Sequence, residues 1–356
     1  MTSLRPAAEP RNIVMLVPLF YPHIGGVERH VDGLTQALRE RGYSVSVVTM
    51  KHETNLPDRE ERAGIVIHRM PYASRFQVWL WILRNMKTIR KADLVHCHDF
   101  VTFYKWYLPF RLLFPWIPAY VTFHGFDKNP TDPSTIRKRK LTAALSRGYI
   151  CVGDYISKWY HTPCTNVTLG ATNLRPTLGA IRRDDRLVLL GRLEPDTAPE
   201  GILKAAHILR ERFGTNLEID VCGDGTLRPS LEEYVTKHSL SVYFHGFVTD
   251  VAAYLTQAKF AIALGYLSML EAMACGAVTL SYAPNPLRKD YWSLTGLANA
   301  ALTVTTSPED LASCIHHLLT NREETSRLAE KGSDFAQAQT WDALAKRYLE
   351  LYGVRI

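Results

Sequence analysis

Glu271 is the single charged residue in the run Ala263-Leu-Gly-Tyr-Leu-Ser-Met-Leu-Glu271-Ala-Met-Ala-Cys-Gly276. A carboxylate in such a setting is a cap, a surface group or a ligand for hydroxyls. Ser268-x-x-Glu271 has the spacing of a capping box, with Ser268 as the N-cap and the Glu271 side chain returning to its backbone N–H. The same first-turn position lets a carboxylate accept both hydroxyls of a ribose, while the helix N-terminus beside it holds phosphates. The local residues leave both readings open. Arg192 follows Gly191 at the end of the apolar run Leu187-Val-Leu-Leu190. A guanidinium there can clamp a pyrophosphate and take up the charge that develops as it leaves, or it is a surface cation. His124-Gly125 ends another apolar run, where imidazole can donate or accept, or sit hydrogen-bonded in the core. Gly25-Gly26 opens a helix and allows close backbone approach to an anion. It equally makes a tight turn, and it lacks the GxGxxG spacing and the P-loop lysine. His96 and His98 share a strand face, as a metal pair would, but no third ligand stands at a useful spacing, so no metal is expected.

The elements that must position these residues alternate. Short apolar runs at 12–20, 44–49, 92–98 and 119–124 read as buried strands, and residues 27–41 carry a helical stripe of Val27, Val31, Leu34 and Leu38 ended by Gly42. The second half repeats the logic. Strands are expected at 187–190, 217–222, 242–246, 260–264 and 280–282, with helices near 201–213 and 268–275. Such alternation implies two doubly wound parallel sheets, and two such sheets facing a cleft can hold two substrates, one per domain, as a transfer reaction needs. A polar hinge is expected at 173–185, and an amphipathic helix at 340–352 can pack on either domain. The length of 356 residues agrees with two domains.

Composition narrows the class. With 46% hydrophobic and 22% charged residues the chain reads as an ordinary globular protein, and its net charge of +7 suits a phosphate-bearing partner. The six cysteines form no CxxC pair and read as buried, reduced residues rather than a disulfide or zinc framework. The first ten residues show no signal-peptide pattern. Segment 100–123 comes closest to a membrane span, but Lys105, Arg111, Pro109, Pro115 and Pro118 interrupt it. The basic run Arg137-Lys-Arg-Lys140 is a solvated helix face. Its sharper alternative is contact with anionic lipid, helped by Trp79-Leu-Trp81 and the aromatic residues of 104–116. No nucleic-acid module is present.

In this order and spacing the motifs resemble the glycosyltransferases of family 4, over nearly the whole chain. The resemblance runs from Pro22-His-Ile-Gly-Gly-Val-Glu28 through Asp93-Leu-Val-His-Cys-His98, Thr122-Phe-His-Gly125 and Gly191-Arg-Leu193 to Leu270-Glu-Ala-Met-Ala-Cys-Gly276. Trp341-Asp-Ala-Leu-Ala-Lys-Arg-Tyr348 looks like the family's last helix. The resemblance implies a GT-B fold of two Rossmann-like domains facing a central cleft. The acceptor-side domain would be 1–175, the nucleotide-sugar-binding domain 186–335, and 336–356 a helix crossing back to the first. It implies retaining, metal-independent transfer of a sugar from a nucleotide diphosphate sugar to an acceptor hydroxyl, without a cofactor or a protein nucleophile. Gly25 and Gly26 would shape the loop under the diphosphate, and His124 would sit by the donor sugar. Arg192 would neutralise the leaving group. Glu271 would bind the ribose, with backbone of Met269 and Leu270 near the phosphates.

Two departures stand out. The family usually has Glu where this chain has Ala263, and Lys where it has Thr197. Tyr266 and Ser268 are expected to replace the lost sugar contact, and Arg288 or Lys289 the lost cation. The rival readings are a catalytically inactive nucleotide-sugar-binding scaffold and a GT-B sugar-nucleotide epimerase. The expected setting is cell-surface polysaccharide or glycolipid assembly, by a cytoplasmic protein that touches the inner face of the membrane peripherally.

Overall fold

A computed structural model describes residues 11–71, 74–125, 132–162, 164–176, 182–298 and 300–355. The chain divides into two compact units: Met1–Thr168 with Trp341–Ile356, and Leu169–Thr340. The segment read as a hinge, 173–185, lies partly outside the described residues, which omit 177–181.

In the first unit the chain forms β1 (Asn12–Leu16), α1 (Gly26–Glu40), β2 (Ser44–Met50), β3 (Arg59–Arg62), β4 (Ile65–Met70), α2 (Arg75–Arg84), α3 (Met86–Arg90) and β5 (Leu94–His98). A π-helical segment, Thr102–Tyr107, runs into α4 (Leu108–Leu113), followed by β6 (Ala119–Phe123), α5 (Pro133–Leu145), β7 (Gly148–Val152), α6 (Tyr155–Tyr160) and β8 (Val167–Thr168). The sheet order is β3-β4-β2-β1-β5-β6-β7-β8, parallel except for β3 against β4. β5 and β6 are buried along their full length, as strands covered on both faces must be, and so they read as apolar runs. β3, all charged, carries no such signal; its charges blunt a sheet edge.

The second unit forms β9 (Arg183–Leu190), α7 (Pro199–Phe213), β10 (Glu218–Cys222), α8 (Arg228–His238), β11 (Val242–Gly246), α9 (Ala252–Leu255), β12 (Ala258–Ala263), α10 (Tyr266–Ala274), β13 (Val278–Tyr282), α11 (Pro286–Ser293), β14 (Leu302–Thr305), α12 (Pro308–Thr320) and α13 (Arg322–Ala338). Its order, β11-β10-β9-β12-β13-β14, is that of a doubly wound nucleotide-binding sheet. Alternate residues of β9 feed opposite faces: Leu187 and Leu189 join one core cluster, Val188 and Leu190 the other. The final helix, α14 (Trp341–Leu351), belongs to the first unit and packs on α1, where Gly33 leaves room for the Trp341 ring.

The cysteine reading needs a correction. Cys151 at the end of β7 and Cys164 form a disulfide, with Cα atoms 5.9 Å apart. Sequence spacing hid it because α6 carries the chain away and β8 brings it back beside β7. Disulfides are rare in reducing compartments, so the cysteines lend no support to the cytoplasmic expectation. Cys97, Cys222, Cys275 and Cys314 are free.

Candidate active site

In the second unit the strand order reverses between β9 and β12, and open α/β sheets take ligands at the carboxyl ends of strands at such a point. Gly191 ends β9 with φ +139, and a Cβ there would fall 2.7 Å from Leu264 Cβ at the end of β12. Glycine therefore lets the two turns touch, bringing the Arg192 loop beside the start of α10.

The start of α10 differs from the sequence expectation. The helix begins at Tyr266 with Gly265 as N-cap, not at Ser268. Ser268 Oγ accepts the Gly265 N–H at 3.0 Å and lies 2.8 Å from its carbonyl. The Tyr266 N–H donates to Tyr291 Oη at 3.1 Å. Two of the four end donors are thus satisfied by side chains, leaving the N–H groups of Leu267 and Ser268 without an intrahelical acceptor. Met269 does not present its amide, which donates to the Gly265 carbonyl at 3.0 Å, and the Met269 and Leu270 side chains are fully buried. Glu271 lies in the second turn rather than the first, buried, on the face shared with Leu267 and Ser268.

Tyr266 and Ser268 are not open ligands. The Tyr266 hydroxyl donates to the Tyr291 carbonyl at 2.6 Å, and its ring stacks on Tyr291 with centroids 4.0 Å apart. Both hydroxyls are thus engaged within the turn. Ala263 is buried at the end of β12. Arg192 is half exposed and paired with Asp196 at 2.9 Å. Thr197 is buried, with its hydroxyl 2.7 Å from the Arg192 carbonyl and 2.8 Å from that of Glu194, so it braces the loop that carries Arg192. Of the two candidate replacement cations, Lys289 is exposed, while Arg288 is buried and donates to the Leu264 carbonyl at 3.3 Å. The Arg288 guanidinium lies 5.0 Å from the Tyr291 ring centroid. Burial pushes the Tyr291 hydroxyl up to about 12, against the opposing pull of Arg288 and Arg192. The sequence reading passed over Tyr291, because nothing local says that its hydroxyl returns to a helix 25 residues earlier.

In the first unit the corresponding reversal lies between β1 and β5. Gly25 is the N-cap of α1, and the Glu28 carboxylate folds against it, paired to His23 at 3.2 Å. An acidic group thus covers the backbone that was expected to meet a phosphate; the space beside Gly26 is open. His124 follows β6. Gly125, at φ +82, takes the chain past the Tyr155 hydroxyl, which donates to the His124 carbonyl at 3.3 Å. His30, His96, His98 and His124 cluster here. His96 Nδ1 meets Tyr352 Oη at 2.9 Å and His96 Nε2 meets Thr122 Oγ1 at 2.8 Å; Thr122 continues to Tyr348 Oη at 2.8 Å and thence to His30 Nε2 at 2.9 Å. His98 Nδ1 lies 3.0 Å from His124 Nε2. Burial is the main cause that lowers all four histidines, His30 to about 4 and His96 to about 3. The cluster is therefore neutral at pH 7 and suited to hydrogen bonding. Among the described residues no three His, Cys, Asp or Glu side chains are arranged to hold a metal ion.

The basic run 137–140 is split. Arg139 is buried among Phe100, Phe123 and Tyr160, whereas Arg137 and Lys140 are exposed. Among the described residues no helix is long and apolar enough to cross a membrane.

The family model for Glycosyltransferase Family 4 matches residues 24–165, and that for Glycosyl transferases group 1 matches 172–335. An uncharacterized glycosyltransferase of Methanocaldococcus jannaschii is 23% identical, over 95% of this chain and 97% of that protein. The sucrose-phosphate synthase of Thermosynechococcus elongatus superposes with a TM-score of 0.75 at 18% identity, covering 96% of this chain and 98% of the other. HepE of Anabaena, solved with UDP and glucose, also gives 0.75, at 15% identity and 96% and 99% coverage. The two nucleotide-binding-type sheets, the matched families and these folds agree, and the chain belongs to the family 4 glycosyltransferases of the GT-B type.

Proposed function

We propose that the protein transfers a sugar, with retention and without a metal ion, from a nucleotide diphosphate sugar to an acceptor hydroxyl in cell-surface polysaccharide or glycolipid assembly. The observation that carries this reading is the paired turn at β9 and β12. Two end amides of α10, the buried Glu271 and the guanidiniums of Arg192 and Arg288 belong to it or to its neighbouring residues. The amides and cations suit a diphosphate; the carboxylate suits ribose hydroxyls. Arg288 takes the place of the cation that Thr197 cannot be. In the reaction the bond from the sugar to the phosphate oxygen breaks as the acceptor oxygen bonds to the same carbon. The acceptor proton passes to the leaving phosphate, so no protein nucleophile is needed. HepE structures contain UDP, UDP with glucose, and UDP-glucose, which makes uridine donors the first to try.

A thermal-shift screen of UDP, GDP and ADP sugars, followed by transfer and hydrolysis assays, tests this. One nucleotide class should raise the melting temperature, and its sugar should be transferred or slowly hydrolysed. Binding without turnover of any donor would leave a scaffold protein, and an isomerised donor formed without acceptor would reveal an epimerase. Either outcome overturns the transfer reading.

The proposal includes peripheral contact with the inner face of the cell membrane, through the first unit. Helices α2 to α5 and the π-helical segment between α3 and α4 contain ten Arg or Lys, only Arg139 of them buried, and no Asp or Glu. The same elements and the turn after α4 expose Phe76 and Trp116, each 70% accessible, with Leu83, Leu112, Leu113 and Leu141. Cations beside apolar side chains suit an anionic bilayer. The full chain should sediment with vesicles containing phosphatidylglycerol, not with pure phosphatidylcholine, and the Phe76→Ser/Trp116→Ser double variant should lose this. Equal behaviour with both lipids would overturn it.

A further inference from the structure

His98 plays no part in the turn network that holds its neighbours. It is wholly buried, its Nδ1 lies 3.0 Å from His124 Nε2, and its Nε2 has no partner. The groups around the pair are already engaged with one another: His96 with Tyr352 and Thr122, and His30 with Tyr348. Their rings lie close, His96 at 4.9 Å from His98 and His30 at 5.1 Å from His124 between ring centroids. His124 itself is partly exposed, and its Nδ1 has no hydrogen-bond partner among the described residues. The charged group that acts on His124 is Arg139, which disfavours an imidazolium, as burial does more strongly. Both rings are therefore neutral near pH 7.

Two neutral imidazoles at hydrogen-bond distance share one proton, and only one of them can donate. If His124 donated, the His98 proton would sit on Nε2, a buried N–H with no acceptor. If His98 donates from Nδ1, its buried Nε2 is merely an unprotonated nitrogen. Orphaned buried N–H groups are the rarer and costlier defect. We propose that His98 is a positioning residue that holds His124 in its Nδ1–H form, so that the open nitrogen of His124 donates a hydrogen bond and does not act as a base. The role of His124 beside the donor sugar rests on the proposed transfer reaction; its tautomer does not. A donor there would bind a sugar hydroxyl or ring oxygen, in keeping with a reaction in which the phosphate, not the protein, takes the acceptor proton.

The test uses the full chain labelled with ¹⁵N-histidine. Long-range nitrogen–proton correlations at pH 7, assigned with His124→Asn and His98→Asn, should show both His98 and His124 protonated at Nδ1. In His98→Leu, His124 should move toward the Nε2–H form that free histidine prefers. Turnover of the donor identified by screening should fall on the order of tenfold, with KM nearly unchanged. His98→Asn, whose amide can stand in for Nδ1–H, should keep the tautomer and regain most of the turnover. A His124 protonated at Nε2 in the unaltered protein overturns the proposal, as does full turnover in His98→Leu or failure of the Asn rescue. If His98→Leu does not fold, the spectra of the unaltered protein and His98→Asn decide. The expected spectrum in a protein that turns over no sugar nucleotide would uphold the tautomer and sink the transfer reading instead.

Discussion

Glu271 is buried in the second turn of α10, a helix that otherwise buries only apolar and hydroxyl side chains, and the proposed transfer gives it the ribose. The capping that the spacing of Ser268 and Glu271 suggested is done instead by Ser268 and Tyr291 on Gly265 and Tyr266. Glu271→Gln keeps the shape and removes the charge. It should weaken nucleotide affinity about tenfold, some 1.4 kcal/mol, by calorimetric titration, with little loss of melting temperature. An unchanged Kd would confine Glu271 to a structural role. Arg192 is half exposed and free to exchange Asp196 for phosphate oxygens. Arg192→Ala should lower kcat roughly 100-fold, as loss of one group that stabilises developing charge does, and raise KM far less. Equal effects on both would mean ground-state anchoring alone.

At the scale of elements, the buried strands β5, β6 and β12 and the buried second half of β9 were legible as apolar runs, because burial on both faces leaves no polar alternation. β3 was not, since a charged edge strand has no hydrophobic pattern to read. The start of α10 was placed two residues late, because its N-cap is a glycine and one of its end amides is held by Tyr291 of α11. Two elements yield predictions. Protein purified without reductant and then denatured should titrate four thiols, not six, because β7 and the loop before β8 are joined by Cys151–Cys164; six would remove the bond. The histidine cluster linking α1, β5 and α14 should make the fold acid-sensitive. His30 falls from 6.5 to about 4 and His96 from 6.5 to about 3 on folding, so the unfolded chain binds more protons between those values. This stability is complete above pH 6.5 and is lost as pH drops through that window, at about 1.4 kcal/mol per pH unit for each histidine. Urea midpoints should fall from pH 7 to pH 5, with a shallower fall in His96→Asn. Equal slopes would separate the cluster from the acid response.

For the whole molecule, the excess of +7 is placed rather than spread, since the helices from α2 to α5 hold ten cations and no anion. Binding to phosphatidylglycerol vesicles should therefore weaken several-fold between 50 mM and about 300 mM salt, as screening shortens the reach of exposed charge. A salt-independent interaction would point to apolar contact alone. The two-sheet architecture and the family could be read from the chain alone, because strand burial and strand-end motifs are encoded within a few neighbouring positions. The assignments that needed three dimensions all join distant segments. Arg288 is delivered to the β12 turn, Tyr291 occupies an amide of α10, and His98 sets the proton of His124. A hydrogen bond depends on distance and direction in space, and separation along the chain carries neither.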